Sequence, residues 1–210
     1  ITVSSQILFQ VYTVLTILEV ILLMLGGMPF FDSLLNSFGT AGTGGFAIKN
    51  ASIAYYNSAY CDGIITFFMI LFGINFNLIY FVAIKKFKAA FKSEELRWYL
   101  IIIFASAIAI SFNILPLYHS IFEAFRYAIF QVGSIITTTG YVTADYGQWP
   151  LFSQTILVLL MFVGACAGST GGGMKVSRII IGVKSAIAEM KHMLHPHSVV
   201  SVVFEGKHLS

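Results

Sequence analysis

Four apolar stretches set the rhythm of this chain: residues 7–26, 60–84, 98–117 and 151 to about 190. Crossing a bilayer takes about 20 predominantly apolar residues, so each is predicted to be a span, the fourth one interrupted. Within each pair of spans lies a shorter amphipathic stretch, PFFDSLLNSF at 29–38 and HSIFEAFRYAIFQVGS at 119–134. Neither crosses alone, and each runs into a segment of threonine and glycine. The order span, short helix, Thr/Gly loop, span therefore occurs twice, with Thr43-Gly44 and Thr139-Gly140 as anchors about 96 residues apart. Such a repeat is the unit of the fold. Residues 1–92 are expected to form the first unit, 93–194 the second, and 195–210 a cytoplasmic segment.

Composition agrees with the pattern. Hydrophobic residues make up 58% of the 210 and charged residues only 10%, against about 25% charged in soluble domains. A net charge of +3 without a basic, aromatic-interleaved run excludes nucleic acid as a partner. The cations instead mark topology. Lys85, Lys86, Lys88, Lys92 and Arg97 crowd the connection between the second and third spans, and Lys175, Arg178, Lys184 and Lys191 follow the interruption. Short basic loops stay inside, so the connections 46–58 and 142–150, which hold only Lys49, face outward and Ile1 lies inside. Each short helix then enters and leaves from the outer face. The chain begins without Met and reads as part of a longer protein. Cys61 and Cys166 belong to no metal or redox pattern and read as buried thiols.

The loops carry the chemistry. SFGTAGTGGF (37–46) and GSIITTTGYVTADY (133–146) are small-residue segments behind re-entrant helices. Irregular backbone at membrane depth is tolerated where protein surrounds it or water fills a cavity. Glycine permits the positive φ angles that turn successive carbonyls one way, and rings of carbonyls replace an ion's hydration shell in potassium filters. TTTGY (137–141) is close to the TVGYG pattern, with Val142 in the place of the last glycine. The fold class expected is an all-α membrane protein of tandem span, pore-helix, span repeats like those of potassium channels, with re-entrant pore helices and a broken last helix. Two repeats supply half of a four-part ring, so the rest of the pore comes from a longer chain or from pairing of two chains.

SFGTAGTGGF, SIITTTGYVTADYGQWP and GACAGSTGGGMKVSR (164–178) together resemble the second and third repeats of the TrkH family of bacterial potassium uptake proteins, within the Trk/Ktr/HKT superfamily. The likeness runs from the first span to about residue 194. It implies a bacterial inner (plasma) membrane protein, multi-pass and not an enzyme, that conducts K+ without an organic cofactor. The implied potassium-binding filter is Ala41, Gly42, Thr43, Gly44, Thr137, Thr138, Thr139, Gly140 and Tyr141, with K+ at Thr43, Gly44, Thr139 and Gly140. An intramembrane loop at 164–175 is implied as the gate: Gly164, Gly168, Ser169, Thr170, Gly171, Gly172, Gly173 and Lys175. Implied partners are the lipid bilayer, the rest of the four-repeat pore, a second copy in a homodimer and a cytosolic nucleotide-binding regulator of the TrkA type. The first- and fourth-repeat loops have no counterpart here. A non-conducting half-subunit, or a two-repeat cation channel completed by pairing, stays open as the alternative.

Other polar residues have plainer readings. Glu19 and Asp62 either serve the function as intramembrane carboxylates or, the plainer reading, pair with polar groups between helices, and Asn75, Asn77 and Asn113 are expected to hydrogen-bond across helices. Glu123 and Arg126, three apart, are expected to pair locally. Asp145 either draws cations to the pore mouth or is simply solvated, and Lys175 either repels cations from the vestibule or snorkels. Tyr55, Tyr56, Trp98, Tyr99 and Trp149 read as an interfacial belt. His192, His195 and His197 lack metal-site spacing. GSTGGGMK fails as a phosphate loop because Met174 intrudes before Lys175 and Val176 follows it.

Overall fold

A computed structural model describes residues 3–83, 92–194 and 201–209. Ile1, Lys85, Lys86, Lys88, His195 and His197, used above, lie outside the described residues. The predicted first repeat holds α1 (Val3–Leu25), the short α2 (Phe30–Ala41), α3 (Ala59–Phe72) and α4 (Phe76–Ala83). The second comprises α5 (Glu94–Ile114), the short α6 (Ile121–Ile136), α7 (Leu151–Val163) and α8 (Val176–Leu194).

The helix starts follow local chemistry. Ser58, Ser93 and Ser120 cap α3, α5 and α6, their hydroxyls accepting from the backbone of Cys61, Leu96 and Phe122 at 3.3 Å each. Asp62, Glu94, Glu95 and Glu123 fill the first turns behind those caps, complementing the helix dipoles.

Apolar side chains fill the interior and also cover the outside. The last turns of α6, from Phe130 to Ile136, are buried on every side. The outer helices meanwhile show apolar faces outward: Ile17, Leu18 and Ile21 on α1, and Val158, Leu159 and Phe162 on α7. Apolar faces this extensive suit lipid or further protein rather than water. Glu94–Leu117, 24 residues with a mean hydropathy of 2.4, is the one helix among the described residues long and apolar enough by itself to cross a membrane. A second qualifies if α3 and α4 count as one span.

That pair differs from the expected uninterrupted segment at 60–84. α3 and α4 are bent by 107° across Gly73, Ile74 and Asn75. Asn75 Oδ1 accepts from Asn77 N–H at 2.9 Å, so its side chain caps the new helix rather than bridging to another. Asn77 itself is exposed. Asn113 does cross between helices, accepting from Ser153 Oγ of α7 at 2.7 Å.

Arg126 turns to Asp62 of α3, Nε to Oδ2 at 3.6 Å, and not to Glu123, so the pair joins the two repeats where a local one was expected. Glu19 is fully buried on α1 and faces the Thr40 hydroxyl of α2, which itself donates to Asn36 O at 2.9 Å. Tyr99 and Trp149 are core residues rather than interfacial ones, donating to Ile70 O at 3.1 Å and Tyr118 Oη at 3.2 Å.

The all-α expectation also misses a two-stranded hairpin, Val202–Phe204 (β1) against Lys207–Leu209 (β2). Its turn residues Glu205 and Gly206 have φ of 50° and 76°, the double positive φ of a tight hairpin turn.

The α3–α4 bend depends on a missing side chain. A Cβ at Gly73 would overlap Tyr99 Oη and stand 2.9 Å from Thr137 Cγ2. Gly73→Ala is therefore expected to destabilise the protein by about 1–3 kcal/mol through overpacking. Gly63→Ala, where a Cβ meets nothing within 4 Å, should stabilise by up to about 1 kcal/mol. Unfolding of the detergent-solubilised protein measures both.

Candidate functional site

The Thr/Gly loops are two copies of one backbone turn. After α2, the N–H groups of Gly42, Thr43, Gly44 and Gly45 donate to Phe38, Thr40, Gly39 and Gly39 oxygens at 2.9, 3.1, 2.8 and 3.3 Å. After α6, those of Thr137, Thr138, Thr139 and Gly140 donate to Gly133, Ile135, Ser134 and Ser134 oxygens at 3.1, 3.0, 2.9 and 3.2 Å. The left-handed residues recur in step: Thr43 and Gly45 (φ 49° and 63°), Thr138 and Gly140 (φ 59° and 91°).

Every one of these correspondences has a spacing of 95 residues, not the 96 suggested by matching Thr43-Gly44 to Thr139-Gly140. The backbone equivalent of Gly140 is thus Gly45, and that of Gly44 is Thr139. Gly45 was missed because the TG dipeptide is the more conspicuous match. The signal was the second glycine of the GG pair.

Gly45 is also where the loops meet. A Cβ there would overlap the Thr139 carbonyl and lie 3.2 Å from Gly140 C. Tyr141 fixes the second loop against the first repeat: its buried ring passes over Gly39, its hydroxyl donates to Asn36 O at 2.8 Å, and its carbonyl accepts from Ser134 Oγ at 2.7 Å. Thr137 and Thr139 share a hydrogen bond between their hydroxyls at 2.8 Å. Ala41 is buried as the last residue of α2, and Gly42 follows it as the cap.

On the far side of the loops, Tyr56 Oη donates to Asp32 Oδ2 of α2 at 2.6 Å. Burial, and then that bond, push the Tyr56 pKa up to about 12, so it remains a donor at neutral pH. Asp145 accepts from Gly147 N and Gln148 Nε2 at 3.0 and 2.9 Å, capping its own turn.

The glycine-rich run 164–175 is a loop between α7 and α8 that packs against both Thr/Gly loops. Thr43 Oγ1 donates to Thr170 O at 3.1 Å, and Gly172 N donates to Thr138 Oγ1 at 2.7 Å. Gly164 and Gly173 pass so closely, both with positive φ, that a Cβ on either would strike the other's backbone. Ala165 N to Gly172 O at 3.3 Å and Val176 N to Ala165 O at 3.1 Å close the loop on itself. Ser169 Oγ donates to Cys166 O at 2.6 Å. Lys175, itself left-handed at φ 74°, donates to Gly171 O, and its ammonium is turned back onto the loop. The loop also meets the α3–α4 bend: Cys166 N donates to Gly73 O at 3.0 Å and Phe76 N to Gly168 O at 3.1 Å, with Gly168 (φ 73°) beside Asn75. A helix, not a strand, precedes the run, which removes the remaining structural basis for a phosphate loop.

Each Thr/Gly loop keeps one flank open. Gln131, Ser134, Thr138, Gly140 and Val142 line a groove of about 280 Å³, and Phe38, Gly39, Gly42, Gly44 and Phe46 one of about 390 Å³.

Known proteins resemble this chain in sequence and fold. The family profile described as TrkH, cation transport protein, matches residues 1–210. Curated relatives include the Trk system potassium uptake protein TrkH of Halomonas elongata, 36% identical over 96% of this chain and 42% of its own. That of Vibrio parahaemolyticus is 35% identical over 98% and 44%, and that of Salmonella typhimurium 33% over 95% and 42%. The crystal structure of the potassium transporter TrkH from Vibrio parahaemolyticus superposes with a TM-score of 0.91 at 34% identity, covering 98% of this chain and 45% of that one. The chain thus spans less than half the length of these relatives. It belongs to the TrkH family of cation transport proteins.

Proposed function

We propose that this chain supplies two of the span, pore-helix, span repeats of a potassium uptake protein in a bacterial inner membrane. In this reading α2 and α6 are re-entrant pore helices. Carbonyls of the two Thr/Gly loops form half of a K+ filter, and residues 164–175 gate the path beneath it. One observation carries the reading: the glycine-rich loop bonds to both Thr/Gly loops at once, through Thr170 to Thr43 and Gly172 to Thr138. Irregular backbone concentrated at one such point is what a cavity at membrane depth permits. The named potassium uptake proteins among the relatives add weight.

The filter in this reading comprises Ala41 to Gly45 and Thr137 to Tyr141, with Gly45 added because its backbone matches that of Gly140. The open flanks of the loops would receive the remaining repeats. The apolar outer faces of α1 and α7 would meet lipid or a second copy. A regulator of the TrkA type would act on the gate from the cytosolic side.

Rubidium flux through the full-length parent, reconstituted in liposomes, tests the filter. Gly140→Ser is expected to cut flux by about tenfold or more without unfolding the protein, because a strained left-handed serine misplaces the carbonyls that replace ion hydration. Normal flux in a correctly folded Gly140→Ser protein would sink the reading.

The same assay separates the two registers. Gly45→Ala is expected to be as damaging as Gly140→Ser. Gly44→Ala should hold flux within roughly threefold, since Gly44 is not left-handed and an added Cβ meets only the exposed Phe46 ring at 3.2 Å. The opposite ranking restores the 96-residue register.

For the gate, Gly173→Ala puts a Cβ onto Gly164 at a φ of 81°. Strain of about 1–2 kcal/mol against the observed loop position shifts its population by about 5–30-fold. Flux is expected to rise, with rubidium binding at the filter unchanged. Unaltered flux places the gate elsewhere.

A further inference from the structure

Glu95 played no part in the sequence reading, yet it holds both sides of the glycine-rich loop. It lies in the first turn of α5 and is 5% exposed. A single carboxylate oxygen, Oε1, accepts from Ala167 N at 2.7 Å and from Ser177 N at 3.2 Å. The first donor belongs to the loop and the second to the opening turn of α8. A buried carboxylate is tolerated where hydrogen bonds replace its water, and charge-assisted bonds to backbone N–H groups are among the stronger kind.

The same helix end is gripped from the other side by the hairpin. Glu205 Oε1, in the turn between β1 and β2, accepts from Ser93 Oγ at 2.8 Å and from the backbone N–H of Glu95 at 3.1 Å. Lys184 of α8 pairs with Glu94 at 2.6 Å and donates to the Val203 carbonyl at 2.8 Å. One residue therefore receives the loop on its side chain and gives its backbone to the hairpin.

We propose that Glu95 and Glu205 are positioning residues that couple the hairpin 202–209 to the loop 164–175. Docking of Glu205 fixes the first turn of α5, which aims the Glu95 carboxylate at Ala167 and Ser177. Drawing the hairpin off α5 frees both amides and loosens the loop from Thr43 and Thr138. The coupling stands on the bonds just given. Its effect on ion flow rests on the reading of 164–175 as the gate.

Hydrogen exchange and rubidium flux on the full-length parent in nanodiscs and liposomes keep the two apart. Glu205→Ala is expected to speed exchange at the Ala167 and Ser177 amides by about tenfold, the scale of one charged hydrogen bond. Glu95→Ala should do the same, and Glu95→Gln, which keeps an acceptor oxygen, should restore most of the protection. Unchanged exchange at these two amides in Glu205→Ala overturns the coupling. So does a general rise along α5, which is the mark of a lost helix cap alone. Faster exchange with unaltered flux supports the coupling and removes the gate reading.

Discussion

Backbone groups freed by a broken helix must find partners, and in this chain two breaks supply them to each other. The α3–α4 bend frees the Gly73 carbonyl and the Phe76 N–H; the α7–α8 loop answers with Cys166 N–H and the Gly168 carbonyl. An unsatisfied buried backbone group costs about 1–3 kcal/mol, and a bilayer core offers no water to take its place. Either break alone would be a defect. Together they form a joint at the point where the two repeats and their Thr/Gly loops converge, and the glycines are there because the backbones must approach to hydrogen-bonding distance.

Around that joint the bonds run from one repeat to the other. Tyr141 reaches Asn36, Arg126 reaches Asp62, Thr43 reaches Thr170, and Ala54 N donates to Val142 O at 3.1 Å. Polar contacts are thus concentrated at the centre, while large apolar side chains cover the outside of α1 and α7. The interior keeps its apolar clusters, and it is the outside that departs from a protein facing water. Outer faces this apolar suit lipid or further protein rather than water.

Local chemistry made much of this visible in the chain itself. The two amphipathic short helices, the twofold order of elements and the oddity of GACAGSTGGGMKVSR follow from residue type and spacing. Side chains whose role depends on a distant partner did not show. Asn75 and Asn113 are the same residue in similar apolar contexts, yet one caps a bend and the other crosses to Ser153. Tyr99 and Trp149 sit near segment ends like interfacial aromatics but face inward.

The sequence by itself determined the order of long and short helical segments and the glycine interruption at 164–175, because periodicity and backbone freedom are local properties. Only the tertiary structure decided the 95-residue register, the turn at Gly73, the hairpin's grip on α5 and the two-sided hold of Glu95. Each depends on a hydrogen bond or close approach between residues tens of positions apart, and no local pattern encodes which carbonyl a distant amide will meet.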